Sequence, residues 1–229
     1  MDPNTGKKGM FNKLNKEQGL ALVEKEGFSR KTVSFYRYVI LDAPFDLRDE
    51  LYLQWNELGV LGRIYLAHEG VNAQLSVPEH NWEAFVKAVH ANKYFTAMPF
   101  KIAVEDDGKS FYKLTIKVRH QIVADGLPID EYDVTDVGVH LDAEKWNNAL
   151  ESGATVVDMR NHYESEIGKF KGAICPDVET FKEELPEVKE MLKGQEEDEI
   201  LLYCTGGIRC EKTSAYLKPK AFLSWSHAT

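Results

Sequence analysis

The residues best placed to do chemistry in this chain are Cys204-Thr205-Gly206-Gly207-Ile208-Arg209-Cys210. An apolar run from Ile200 to Tyr203 precedes them and reads as a buried strand, and a helical pattern from Cys210 to Leu217 follows. Strand, tight loop and helix N-terminus in succession make an anion cradle. The loop's N–H groups can turn inward, and the helix dipole adds partial positive charge. A cysteine facing that ring is expected as a thiolate near neutral pH, because each inward donor and the charge of Arg209 favour the ionised form. Gly206 and Gly207 are expected to supply the backbone angles of the curl. The bland alternative is a strand-to-helix turn around a buried cysteine. It leaves the arginine and the paired glycines without a packing reason.

Loop length narrows the chemistry. Four residues separate Cys204 from Arg209. Cysteine phosphatases use a longer loop, wide enough for a phosphate. The tighter ring here suits a single sulfur atom beyond the cysteine, a persulfide. The stretch resembles the rhodanese superfamily. The longer string from Cys204 to Lys212, Cys-Thr-Gly-Gly-Ile-Arg-Cys-Glu-Lys, resembles the narrower family of bacterial tRNA uridine(34) hydroxylases, which contain a rhodanese domain. That resemblance runs from about Thr32 to Lys218.

The elements that must position the loop follow from periodicity. Asp142 caps a short helix through Leu150, and Ala154 to Asp158 is a continuous apolar strand of the kind found in parallel sheets. Glu179 to Leu192 reads as a helix interrupted near Pro186. Cys204 stands at the C-terminal end of its strand, where open α/β sheets place ligands. By the resemblance, Asp158 and Arg160 form a structural ion pair near the cradle, and Tyr163-Glu164 begins a turn of helix. Cys210 is read either as a resolving thiol or as a packed helix residue. Cys175, before Pro176, is read as structural.

The first half of the chain has a different pattern. Residues 1–30 are polar with little periodicity and are expected to be a flexible leader, with a short helix carried by Phe11, Leu14, Leu20 and Leu22 as an option. Strands are expected at Thr32–Leu41, Leu61–Ala67, Val71–Val77 and Phe100–Glu105, with helices at Leu47–Leu58, capped by Asp46, and at Glu79–Ala91. The order β-α-β-β-α-β implies a ferredoxin-like α+β domain over residues 31–123. A further strand, Leu114 to Val123, alternates Lys117, Arg119 and Gln121 with apolar residues. Lys117 and Arg119, with Arg63 and Lys113, are the candidates for RNA phosphate contact, against the alternative of a solvated strand face. His68 and Glu69 sit on a hairpin turn and are read as structural. Residues 124–140 read as an interdomain linker, and 141–229 as an α/β rhodanese-like domain with a parallel sheet.

After Lys218 the resemblance fails. Pro219 to Thr229 has neither the glycine pair nor the cysteines usual in the family. Two explanations fit: a truncated or altered end, or a substitute strand from Ala221 to Trp225. The first is preferred, so the second domain is expected to be incomplete, with an unpaired edge beside the Cys204 strand.

Composition sets the outer bounds. Across 229 residues the net charge is −9, so RNA contact must come from a local basic patch. Three cysteines and no signal-like N-terminus point to the cytoplasm, and no apolar run has membrane-spanning length. No metal-ligand spacing and no cofactor motif is recognised. The family resemblance implies oxygen-dependent 5-hydroxylation of uridine 34 in tRNA, with molecular oxygen as co-substrate, the anticodon stem-loop as partner and Cys204 as the reactive residue. The residues themselves leave two alternatives open. One is sulfur transfer through a Cys204 persulfide, fed by a sulfur donor; the other is a non-catalytic rhodanese-like binding module.

Overall fold

The computed structural model describes residues 10–104, 108–128 and 131–218, and the backbone of 224–228. The chain divides into two compact units, Met1–Ile122 and Val123–Thr229.

The first unit opens with helix α1 (Lys16–Glu24), whose N-cap Asn15 and Gln18 form a reciprocal capping box. The described part of the expected leader is therefore folded: Gly19 lies against Tyr112 so closely that a Cβ there would meet its Cδ2 at 2.6 Å. Residues 1–9 lie outside the described residues. Next come β1 (Arg30–Tyr38), α2 (Pro44–Glu57), β2 (Leu61–Ala67), β3 (Gly70–Pro78), α3 (Trp82–Ala91), β4 (Lys101–Ile102) and β5 (Leu114–Val118). Helix α2 starts ahead of the expected Asp46 cap, with Pro44 in its first turn. There proline's fixed φ and missing N–H cost nothing.

The strands order as β4-β1-β3-β2-β5. The first four are antiparallel, and β5 joins the β2 edge in parallel. Period-two alternation decides the faces. Val33, Phe35, Ile64, Leu66, Ala73 and Leu75 point into one core with Leu51 and Trp55 of α2 and Phe85 of α3. The helices cover that face. Edge strand β4 is shorter than expected, and both its residues are exposed.

The second unit runs β6 (Val139–Leu141), α4 (Ala143–Glu151), β7 (Thr155–Asp158), α5 (His162–Ile167), α6 (Phe181–Met191), β8 (Glu199–Tyr203), α7 (Ile208–Leu217) and β9 (Ser224–Ala228). Asp142 caps α4, accepting the N–H of Lys145 at 2.9 Å. Helix α6 runs through Pro186 without the expected interruption, held by the fully buried Leu185 and Val188.

The sheet is parallel, in the order β6-β9-β8-β7. This corrects the expectation of an unpaired edge at the Cys204 strand. Backbone 224–228 enters between β6 and β8 and pairs with both, Ser226 opposite Leu201 on one side and Val139 on the other. A central strand leaves costly orphan N–H and C=O groups unless both its sides are paired, and β9 satisfies them. Of the expected substitute strand Ala221–Trp225, residues 221–223 lie outside the described residues.

The segment expected as a linker also packs. Asp125 is fully buried, as is Lys212 of α7, and their charged groups meet at 2.6 Å. Asp125 also accepts from the Leu127 N–H at 2.8 Å and the Tyr132 hydroxyl at 3.1 Å. Gly138 donates its N–H to the Ser214 hydroxyl at 3.0 Å, so a second bond ties the segment to α7. A buried pair loses far more when one partner is removed than it contributes net, because the orphan charge remains. Asp125→Ala should therefore destabilise the second unit by about 3–5 kcal/mol, and the double variant Asp125→Leu/Lys212→Met should recover most of that. Chemical denaturation followed by circular dichroism checks both.

Candidate active site

Strand β8 delivers Cys204 to the start of the loop, and α7 begins immediately after it at Ile208. The curl between them is made by Gly207, the N-cap, which sits at φ +87°, the left-handed region that glycine enters without steric cost. Gly206 differs from its expectation: its φ is not positive, and a Cβ placed on it would meet nothing within 4 Å. Its smallness leaves the rim of the loop open and does not serve the curl.

The Gly207 N–H donates to the Cys204 sulfur at 3.0 Å. The thiol of Cys204 is pulled down to about 5. The largest cause is a hydrogen bond from the Cys210 thiol. Burial opposes it, and the Cys210 N–H, the Arg209 charge and the Gly206 N–H add to it. The helix therefore greets the sulfur with both a side-chain and a backbone donor from the same residue. Cys210 itself is 1% exposed. Burial first, and then its bond to Cys204, push its own thiol well above the ordinary range. It stays protonated and acts as a donor, which favours the packed-residue reading over the resolving one.

Two glutamates missed by the sequence reading complete the surroundings. Glu164, on α5, accepts from the Thr205 hydroxyl at 2.5 Å and from Arg209 at 3.3 Å. It also closes the α5 capping box by accepting the Asn161 N–H at 3.1 Å. Burial pushes its carboxyl up, but the bonds from Thr205, Arg209 and Asn161 outweigh that and hold it below the usual range. Glu164 is thus a strut between α5 and both ends of the cradle loop. Glu184, on α6, is 3% exposed. Burial raises its carboxyl to about 8; Arg209 opposes, while Asp158, Cys204 and Glu164 reinforce the rise. Among the described residues, its Oε1 and the Nη1 of Arg209 are buried without a hydrogen-bond partner. The only sequence signal for either glutamate was Glu164's place beside Tyr163, and that carried no hint of a contact with the loop.

Asp158 ends β7 and is 1% exposed. Its carboxylate takes Arg160 in a fork, Nε at 2.9 Å and Nη2 at 2.7 Å, and accepts the Tyr203 hydroxyl at 2.6 Å. Burial pushes its carboxyl up towards the neutral form, but these bonds prevail, hold it below the usual range and keep it charged. The fork fixes the end of β7 beside the last residue of β8. Cys175 is a third, separate thiol, pushed up by burial, with Ala173 O at 3.6 Å.

A cavity of about 660 Å³ opens over Cys204 and Thr205, walled by Arg160, Glu164, Lys169 and Phe170. Phe170 meets Tyr203 edge-on at 4.9 Å and keeps 40% of its surface exposed. In the first unit, Arg63 and Lys117 occupy neighbouring strands on the face away from the helices, and Arg119 lies over the Tyr65 ring at 5.5 Å. His68 and Glu69 have structural partners there: His68 Nδ1 lies 2.9 Å from Leu41 O, and Glu69 accepts the Ile122 N–H at 2.7 Å. No cluster that could hold a metal ion is found among the described residues, and none of their helices is long and apolar enough to cross a membrane.

Comparison with known proteins agrees with this architecture. Residues 30–122 match the UPF0176 acylphosphatase-like domain, and residues 142–225 match the rhodanese-like domain. A tRNA uridine(34) hydroxylase of Leptospira interrogans is 56% identical over 93% of the chain and 59% of its own length. Those of Salmonella arizonae and Photorhabdus laumondii are each 43% identical, over 93% and 95% of the chain and 61% and 62% of their own lengths. The chain is thus similar over most of its length to proteins named tRNA uridine(34) hydroxylase, and it carries a UPF0176 acylphosphatase-like domain followed by a rhodanese-like domain. It spans about three fifths of the length of the curated relatives it matches.

Two outcomes follow from this geometry. Replacing Cys210 with Ala removes the largest single stabiliser of the Cys204 charge. The pH at which Cys204 becomes reactive should rise by roughly one to two units, the equivalent of a charged hydrogen bond, in iodoacetamide alkylation rates measured against pH. Glu184 gives a stability signature. Its folded value of about 8 exceeds its ordinary 4.5, so the native state binds the extra proton. The stability this confers is full below 4.5 and is lost as pH rises through 8. Glu184→Gln should flatten that decline in denaturation curves taken across the window.

Proposed function

We propose that this chain hydroxylates uridine 34 of tRNA at ring carbon 5, with Cys204 as its reactive residue. The observation that carries the reading is the Cys204 thiol, ionised near pH 5 under a cavity of about 660 Å³. A cavity of that size takes a nucleoside. The exposed ring of Phe170 offers a stacking surface for the base, and Lys169 a charge for a flanking phosphate. The relatives' name supplies hydroxylation of uridine 34; in our reading the ring C–H becomes C–OH with molecular oxygen as the oxidant, which makes the enzyme an oxidoreductase. One oxygen atom enters the ring, and the other leaves as water at the expense of an external reductant.

Each residue has a part in this account. Cys204 presents a thiolate, or a persulfide built on it, to the bound base. Thr205, Gly206, Gly207 and Ile208 form the cradle wall, Arg209 and Cys210 stabilise its charge, and Glu164 holds the loop to α5. Asp158 and Arg160 keep the two strand ends in register. Arg63, Lys117 and Arg119 bind the anticodon stem-loop. A tRNA substrate is consistent with a cytoplasmic protein.

A second reading is favoured by the tightness of the ring: transfer of sulfur from a donor through a Cys204 persulfide. Release of thiocyanate from thiosulfate and cyanide would support it. An ionised Cys204 speaks against a purely structural rhodanese-like module, which needs no such thiol.

The test is mass spectrometry of tRNA nucleosides. The host is a strain lacking its own hydroxylase and redundant routes, complemented with this chain or with Cys204→Ser. We expect 5-hydroxyuridine derivatives to return with the first and to stay absent with the second. Their return with Cys204→Ser would refute the role of the cysteine.

A further inference from the structure

The face of the first unit's sheet that the helices leave uncovered has a composition at odds with the rest of the chain. Acidic residues outnumber basic ones 37 to 28 overall. Yet none of the strand positions that point to this face is acidic. The register sets two rows across it. Ser34, Gln74, Arg63 and Thr115 are successive neighbours in one. Tyr36, Asn72, Tyr65 and Lys117 are successive neighbours in the next. Arg119, just past β5, lies on the Tyr65 ring at 5.5 Å. Arg63, Gln74 and Arg119 are exposed, and Tyr65 and Lys117 are half-buried. A cavity of about 380 Å³ opens alongside, lined by Arg63, Lys117, Lys113 and Arg48.

Phosphate attraction alone needs cations and no ring. Here a ring stands inside the cationic set, with the Arg119 guanidinium over it at 5.5 Å and an exposed amide one position away. Aromatic and guanidinium planes take the faces of unpaired bases, while neighbouring cations track the backbone. Fully paired RNA hides those faces. We infer that this sheet face is a stacking platform for unpaired bases of single-stranded RNA, with Tyr65 and Arg119 taking a base between or upon their planes, Gln74 meeting a base edge, and Arg63 and Lys117 on the flanking phosphates. Tyr36 stands two strands from Tyr65, roughly 10 Å away, close enough to serve a second base of the same loop. The inference rests on the tRNA reading and deepens it: the chain recognises the loop as open bases and not only as charge.

Binding of the full chain, read by fluorescence anisotropy, tests it without requiring catalysis. The probes are a labelled anticodon-type stem-loop and a blunt RNA duplex of equal length. Tyr65→Ala should weaken stem-loop binding about tenfold or more, with an unchanged salt slope and little effect on the duplex. Tyr65→Phe, which keeps the ring and controls for folding, should bind the stem-loop as the native chain does. Lys117→Ala should weaken both RNAs and lower the salt slope by about one. Stem-loop binding unaltered by Tyr65→Ala, or equal weakening on both RNAs, would overturn the platform while leaving the tRNA reading intact. Failure of the native chain to bind either RNA would overturn both.

Discussion

Everything in the second unit converges on keeping one negative charge on one sulfur. A thiolate in a largely enclosed site is unfavourable unless donors replace the lost water. Here the donors come from the first residues of α7: the Gly207 N–H at 3.0 Å, and the thiol and N–H of Cys210. That requirement explains why a helix must start so soon after β8 and why its N-cap must adopt a left-handed backbone. It explains too why the residue one turn in is a small, buried donor. Cys210 works because it is fully enclosed: burial keeps its own proton on, and so it can donate.

The surroundings hold the loop in place without neutralising it. Glu164 is charged and grips Thr205 and Arg209, drawing part of the arginine's field away from the sulfur. Glu184 is also buried near the cradle but is held protonated, with its carboxyl raised to about 8. Two carboxyl groups near one thiolate are tolerable only because their environments drive them apart, one charged and paired, the other neutral. The Asp158–Arg160 fork and the Tyr203 hydroxyl do the corresponding work at the strand ends. Lys212 and Asp125 clamp the far side of α7. The loop is thus tied to its neighbouring elements, and it opens on the cavity walled by Phe170 and Lys169.

Much of this was legible in the sequence, and the rest was hidden for physical reasons. Strand, loop and helix around Cys204 are contiguous, so local pattern sufficed. The β-α-β-β-α-β order of the first unit was equally readable from period-two and helical spacing, including the added strand at Lys117. Contacts between residues distant in sequence were not. Glu164 and Glu184 look like surface acids of helices, and only tertiary packing turns one towards Arg209 and encloses the other. Residues 124–140 have the composition of a linker because the partner of Asp125 is Lys212, far along the chain. Strand β9 is hard to read because Pro219 to Thr229 lacks the glycine pair and cysteines of the resemblance, whereas sheet pairing depends on backbone. Gly206 was credited with a strained angle that belongs to Gly207.

The most direct test of the account is a difference titration of thiolate ultraviolet absorbance, the native chain against Cys204→Ser. The account predicts a single ionisation centred near pH 5 that vanishes in the variant. A midpoint at the ordinary thiol value of 9 would contradict it. The cradle would then not charge the sulfur, and the chemistry assigned to Cys204 would have no basis.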